Sequence, residues 1–349
     1  MESKINRFFR ESLLKIRPYK SAREDYVNKG LDVIFLDANE NPFSSSCNRY
    51  PDPMQLKLKN IIASWKNITP DQLYLSNGSD EFISQVILAC CEPGEDHIII
   101  LPPTFGMYKV SALTLGIEVK EIPLKADFNL DTEAIMNAVN EKSKIIFIPT
   151  PNNPTANSFD FNDIITIIHE FPGLVVVDEA YIEFTNTTTF IKSLNRYSNL
   201  VVCQTFSKAQ GMAGARLGMA FAHKELIAYL NRIKAPYNLN SLTLNAAIER
   251  LNQQDEVQEQ VNFLIKERKR IVRSLKKISF ISNVFPSDAN FIMVRLDDSH
   301  HRYQQLIKHG IVVRNSSNNL NCQNTLRISI GLKEENNKLI NALISMDSL

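Results

Sequence analysis

A chain of 349 residues is long enough for a large core and two domains. Its 39 lysines and arginines against 38 aspartates and glutamates leave a net charge of +1, which gives no footing for a nucleic acid or an anionic membrane surface. No apolar run approaches the about 20 residues of a membrane span, and Cys47, Cys90, Cys91, Cys203 and Cys322 include no CxxC pair, so they read as reduced thiols of a cytoplasmic protein.

Residues 1–15 are basic and amphipathic. Glu2, Glu11 and the lack of a cleavage-like region argue against a transit peptide and for a short helix packed on the body or on a partner subunit. Leu31 to Asp37 reads as a short strand and 38–43 as a loop. Met54 to Trp65 spaces its apolar residues for a helix. Tyr74 to Asn77 is a strand end, Gly78 a turn, and the helix that follows to Ala89 has Ser79 or Asp80 as its cap. Strands are expected over His97 to Leu101 and Ile117 to Ile122, around a helix from Tyr108 to Leu115 that Gly116 closes. Helices over Asp131 to Val139 and Phe161 to Glu170 alternate with strands over Lys144 to Pro149, Leu174 to Val177, Leu200 to Gln204 and Leu217 to Ala222. Past Pro236 the texture changes: Leu242 to Leu275 reads as long, charged helix, then strands over Ala289 to Leu296 and Thr325 to Ile330 flank a helix from Tyr303 to His309.

Continuous apolar strands alternating with helices predict an α/β fold, a mainly parallel sheet sandwiched by helices, with a smaller α+β domain. The expected division is a large domain over 31–265 and a small domain of 266–349 joined by an N-terminal arm, 1–30.

Ligands of open α/β sheets gather at the carboxyl ends of the strands. Four polar stretches fall there, at 77–80, 152–154, 178–181 and 207–208. Lysine is rarely buried without a chemical reason, and Lys208 directly follows a buried strand. Ser207 and Arg216 in the same loop offer a phosphate a hydroxyl and a guanidinium while the amine bonds covalently to something else, a combination that suits pyridoxal phosphate. Taken alone, a basic loop after a strand is more often plain surface. Asp178 ends an apolar strand, where it reads either as the partner of a pyridinium N–H or as a helix cap. Asn153 and Tyr181 carry neutral groups for a ring hydroxyl, although Asn152-Asn153-Pro154 is also a simple turn. Gly78-Ser79-Asp80 opens a helix, a natural phosphate cradle. Either Phe105 or Tyr108 suits stacking on a flat ring, and either suits the core. His300-His301 lacks ligand spacing, so no metal site is expected.

Taken in order, LDANENP (36–42), NRYPD (48–52), SNGSDE (76–81), PTPNNPT (149–155), DEAYIEF (178–184), SKA (207–209) and LRISIG (326–331) resemble fold-type-I pyridoxal-phosphate aminotransferases, and within them the histidinol-phosphate aminotransferase subfamily, to which DEAYIEF and RPYKSAR (17–23) also point. The resemblance implies that Lys208 is the Schiff-base lysine and proton carrier, that Asp178 pairs with the ring nitrogen, and that Tyr181 and Asn153 bond the ring oxygen. It implies stacking by Phe105, a phosphate site of Ser79, Asp80, Ser207 and Arg216, and Tyr50 reaching that phosphate from the other subunit of a homodimer. For the substrate it implies Arg327 and Arg314 on its anionic group, with Tyr19, Asn39 and Tyr50 nearby. Ala156 departs from the glycine common in relatives; a turn with φ > 0 there costs alanine about 1 kcal/mol. The implied reaction moves the amine between L-histidinol phosphate and 2-oxoglutarate in histidine biosynthesis. An aromatic or broad-specificity aminotransferase and a threonine-phosphate decarboxylase stay open as alternatives. A regulatory domain without turnover is disfavoured, because such domains usually ride on a DNA-binding module and no such extension is expected before residue 30.

Overall fold

The structure is a computed structural model that describes residues 5–19, 23 and 33–347. Its large sheet has seven strands: β1 (Leu73–Asn77), β2 (His97–Ile100), β3 (Glu118–Glu121), β4 (Ser143–Pro149), β5 (Leu174–Asp178), β6 (Leu200–Thr205) and β7 (Leu217–Ala222), in the order β1-β7-β6-β5-β4-β2-β3. β7 runs against both its neighbours and the other pairings are parallel. Every residue of β5, β6 and β7 is buried, as continuous apolar runs require of strands covered on both faces.

Side chains alternate across each strand, so the sheet divides two cores. Ile146, Ile148, Val175, Val177 and Val202 pack on one face with helices α1 (Leu56–Lys66) and α4 (Phe161–Glu170). Ile145, Phe147, Val176, Val201 and Cys203 pack on the other with α2 (Gly78–Cys90), α3 (Met107–Thr114) and α5 (Lys224–Ile233). The two layers are the sandwich expected of the chain.

A second sheet holds β8 (Ile281–Val284), β9 (Phe291–Leu296), β10 (Arg314–Asn315) and β11 (Thr325–Ser329), antiparallel in the order β10-β11-β9-β8. Its core joins Ile292, Val294, Leu326 and Ile328 to the end of α7 (Gln254–Leu275), to α8 (Ser299–Lys308) and to α9 (Lys333–Asp347). Among the described residues no helix is long and apolar enough to cross a membrane. All five cysteines are free, and only Cys47 is exposed.

Three expectations are corrected. Residues 33–37 form no strand, and 31–32 lie outside the described residues. Ile34 and Leu36 are more than four-fifths exposed at 82% and 86%, so this apolar run has no core in the chain to hold it extended against a neighbour. The stretch 242–275 is not one helix: α6 (Ser241–Leu251) and α7 part at Asn252 and Gln253. Leu244, Ala247 and Leu251 face the large sheet, whereas Ile271 and Leu275 face the small one, and the chain turns between the two cores. Finally, Ile5, Phe8, Phe9 and Leu13 bury in the large-sheet core with Tyr74, Phe82 and Leu230, not with the small domain to which the sequence assigns them.

Gly218 of β7 lets α2 begin against the sheet. A Cβ there would lie 2.5 Å from the Gly78 carbonyl carbon and 2.6 Å from the Ser79 nitrogen, both backbone atoms that cannot rotate away. Gly218→Ala is expected to lower stability by about 1–3 kcal/mol, read as a fall in urea midpoint at unchanged slope.

Candidate active site

The carboxyl ends of β4, β5 and β6 open on a cavity of about 570 Å3. Strand direction alone puts them there, since the parallel strands all end on one edge of the sheet. Ser79, Asp80, Phe105, Asn153, Asp178, Tyr181, Ser207, Lys208, Arg216, Arg314 and Arg327 all line it. Eleven residues singled out in the sequence, from both sheets, therefore share one cavity.

Asp178, the last residue of β5, is 6% exposed. Its Oδ2 accepts from the Tyr108 hydroxyl at 2.6 Å and its Oδ1 from the Ala180 N–H at 3.0 Å. Burial drives its pKa up, and the two hydrogen bonds pull it back. Among the described residues no cation forms an ion pair with it. Tyr108 sits wholly inside the protein, stacked on Phe147 of β4 with ring centroids 4.6 Å apart. Phe105 meets Tyr108 edge-on at 5.5 Å and forms the cavity wall. Both rings line the cavity, Phe105 partly exposed and Tyr108 wholly buried, so Phe105 offers a ligand the larger face.

Lys208 lies beyond the end of β6, its side chain open to the cavity. The protein around it and the Arg327 guanidinium hold its amine below the ordinary lysine range, against the pull of Asp178. Its Nζ is 5.5 Å from the centre of the Tyr181 ring. Burial pushes the Tyr181 phenol up to about 12, with Arg327 and Asn153 opposing. Arg327 Nη1 donates to Asn153 Oδ1, which ties the small sheet to the loop after β4. In the β10–β11 register Arg314 stands directly opposite Arg327. Like charges so placed repel, and burial together with Arg314 lowers the Arg327 pKa.

Gly78 (φ 74°) and Arg216 (φ 54°) both take the left-handed conformation. The Arg216 guanidinium passes so close over Gly78 that a Cβ there would collide with it. Its Nη1 donates to Ser207 Oγ at 3.4 Å and its Nη2 to Asp80 Oδ2 at 3.2 Å. Both partners of the Asp80 pair are half-exposed, so the pair is weak and leaves the guanidinium free to meet an anion. Neither Ser79 nor Asp80 caps α2, as the sequence suggests: its N-cap is Asn77, with no side-chain cap bond. Asp80 points to Arg216 instead, and the N-terminal N–H groups of the helix carry no side-chain cap at the cavity edge.

Ala156 is buried with φ 67°, so the turn does need the left-handed conformation that alanine resists. Its carbonyl accepts from the Asp288 N–H at 2.7 Å, and that bond helps hold the strained turn.

Three expected residues lie elsewhere in this chain. Tyr50 and Asn39 line a separate cavity of about 460 Å3, where Tyr50 stacks on Tyr237 at 4.4 Å. Tyr19 is 73% exposed and lines neither cavity. The cavity also takes in Thr104, Met107, Ser316 and Asn319, which the sequence does not single out. Ser316 and Asn319 sit in a polar loop between short strands, with no period or glycine to mark them.

The family model for aminotransferase class I and II matches residues 28–343. A histidinol-phosphate aminotransferase of Flavobacterium psychrophilum is 47% identical over 97% of this chain and 98% of its own length. The crystal structure of the histidinol-phosphate aminotransferase from Clostridium acetobutylicum superposes with a TM-score of 0.80 at 28% identity, covering 86% of this chain and 91% of that one. L-threonine-O-3-phosphate decarboxylase from Porphyromonas gingivalis shares the fold, with a TM-score of 0.73 at 19% identity over 86% of this chain and 91% of that one.

In protein freed of small molecules, labelling of Lys208 by an amine-reactive reagent, followed by mass spectrometry, is expected to rise with a midpoint below the usual 10.5 of lysine. Arg327→Leu removes a cation that disfavours the ammonium form and is expected to move that midpoint up.

Proposed function

The chain belongs to the aminotransferase class I and II family, and from that membership and this cavity we propose that it converts L-histidinol phosphate and 2-oxoglutarate to imidazole acetol phosphate and glutamate, reversibly, in histidine biosynthesis. The observation that supports the reading is that Lys208 shares one cavity with the buried carboxylate of Asp178, which among the described residues has no ion-paired cation, and with the opposed pair Arg314 and Arg327.

The residues present fit pyridoxal phosphate. A pyridinium N–H is the cation Asp178 lacks, and the Arg216 guanidinium over Gly78, with Ser207 and the start of α2 beside it, fits a phosphate. Ser79 and Asp80 complete that end. Tyr181 and Asn153 would bond the ring oxygen, and Phe105 would cover the ring face. When bound, the cofactor supplies an electron sink for the bonds at the substrate Cα.

Lys208 would hold the cofactor and would carry the proton at the substrate Cα. Its lowered basicity serves both duties, because a neutral amine is needed each time. Asp178 would hold the ring nitrogen in its protonated form. Arg327 receives a carboxylate or a phosphate oxygen in the same planar geometry, so one site serves glutamate and histidinol phosphate in turn. Arg314 adds the second charge that a phosphate dianion requires. Tyr108, stacked on Phe147 and met edge-on by Phe105, covers one side of Asp178. The smaller unit, 266–349, brings both arginines, and residue 265 falls within α7, which leads into it.

The protein is proposed to act in the cytoplasm as a homodimer with shared sites. Tyr50 and Asn39 stand outside their own chain's cavity, near the exposed Ile34, Leu36 and Phe43 in sequence. The partner subunit's Tyr50 would complete the phosphate site and its Asn39 the substrate end, with Tyr19 closing over the substrate. A threonine-phosphate decarboxylase shares the fold alone, and an aromatic aminotransferase would share every cofactor residue without needing Arg314 for a dianion.

Lys208→Ala is expected to lose both turnover and the visible absorbance of bound cofactor; normal transamination by that variant sinks the assignment. A panel of amino donors with 2-oxoglutarate should rank histidinol phosphate first, and carbon dioxide from O-phosphothreonine would favour the decarboxylase. Arg314→Ala should cost about 10- to 100-fold in kcat/KM for histidinol phosphate and clearly less for an aromatic amino acid. Mixing the inactive Lys208→Ala and Tyr50→Ala proteins should restore activity if the sites are shared, whereas a fully active monomer contradicts the dimer.

A further inference from the structure

We propose that Tyr108 is a positioning residue for the cofactor: its hydroxyl holds Asp178 in the orientation and charge that the ring nitrogen requires. The proposal rests on the pyridoxal-phosphate reading above and names a residue that acts through Asp178. Three observations carry it. The Tyr108 hydroxyl donates to Asp178 Oδ2 at 2.6 Å. Its ring is 0% exposed and clamped on two sides, stacked on Phe147 at an interplanar angle of 13° and met by Phe105 at 85°. Among the described residues the only other hydrogen-bond donor to the carboxylate is the Ala180 N–H, on Oδ1. Each oxygen therefore has one donor from the chain, and the rotation of the carboxylate is set.

The clamp also sets the direction of the bond. Burial and the neighbouring carboxylate push the Tyr108 pKa well up, so the phenol stays protonated and always donates. A donor that cannot turn away stabilises the anion of Asp178 against the desolvation that favours the neutral acid. Without the hydroxyl the carboxylate keeps one donor, its pKa rises, and it protonates in the empty cavity at a higher pH. A neutral acid no longer holds a protonated pyridine nitrogen. Phenylalanine at 108 preserves both ring contacts and so removes the hydroxyl alone.

The test is a titration of pyridoxal phosphate into the full-length, cofactor-free protein in four forms: unsubstituted, Tyr108→Phe, Asp178→Asn and the double variant. The dissociation constant is followed across the neutral pH range, with the melting temperature of each empty protein as a control. Tyr108→Phe is expected to weaken binding by about 10- to 100-fold, with the loss growing as pH falls through the raised pKa of Asp178. In the Asp178→Asn background the same change should have little further effect, because the two act as one unit. Unchanged affinity in Tyr108→Phe overturns the proposal while leaving the cofactor reading intact. Equal losses in both backgrounds, with or without a lowered melting temperature, also overturn it, since the phenol then acts without Asp178. Failure of the unsubstituted protein to take up the cofactor overturns the cofactor reading and the proposal together.

Discussion

A carboxylate buried at the end of an apolar strand is the constraint around which the large unit is arranged. Asp178 closes β5, whose every residue is buried, so water cannot solvate its charge from behind. Among the described residues two donors answer it, Tyr108 and the Ala180 N–H, and no cation is ion-paired with it. That leaves the charge compensated in part, which is a poor solution for stability and a useful one for binding. β4 and β6 flank this strand in parallel register, so Asn153 and Lys208 follow from neighbouring strand ends. Glu179, the next residue, is wholly buried too, but it accepts from Thr189, Gln204 and the Phe190 N–H and ties down the loop behind the site. Adjacent carboxylates of one segment thus have opposite fates: one is saturated and structural, the other is left open to the cavity.

The small sheet contributes charge where the large one contributes shape. Arg327 is anchored to Asn153 and Arg314 faces it across a two-residue strand. Arg268 of α7 adds a fastening between the units, donating to the carbonyls of Phe184 and Ala289. The cavity is therefore assembled at the junction of two separately packed cores, the place where a site can bind on both sides of a ligand.

Most of the large sheet is legible in the sequence, because strands buried on both faces appear as unbroken apolar runs. Phe161–Glu170 and Leu217–Ala222 have the same ends in sequence and structure. What escapes is what has no such run. β8 buries only its two end residues, and β10 is two residues long. The false strand at 33–37 is apolar without a core to face, and the false single helix at 242–275 has apolar stripes that serve two cores. In the site, Lys208, Asp178, Asn153 and Tyr181 are legible because each is a polar residue where a buried strand stops. The part played by Tyr108 is not, because it depends on which of two aromatic rings lies deeper. Tyr50 and Asn39 are marked only by resemblance, and folding one chain does not bring them to Lys208.

The opposition of Arg314 and Arg327 has a consequence for the mechanics of the molecule. The last strand of the small sheet is held by few backbone bonds and carries one of two facing cations, so in the absence of an anion it is under electrostatic load. An anion between the guanidiniums reverses the sign of that load and turns repulsion into a bridge. Occupancy and the cohesion of the sheet edge are then one equilibrium seen from two sides. An anion held there would act as a removable part of the fold.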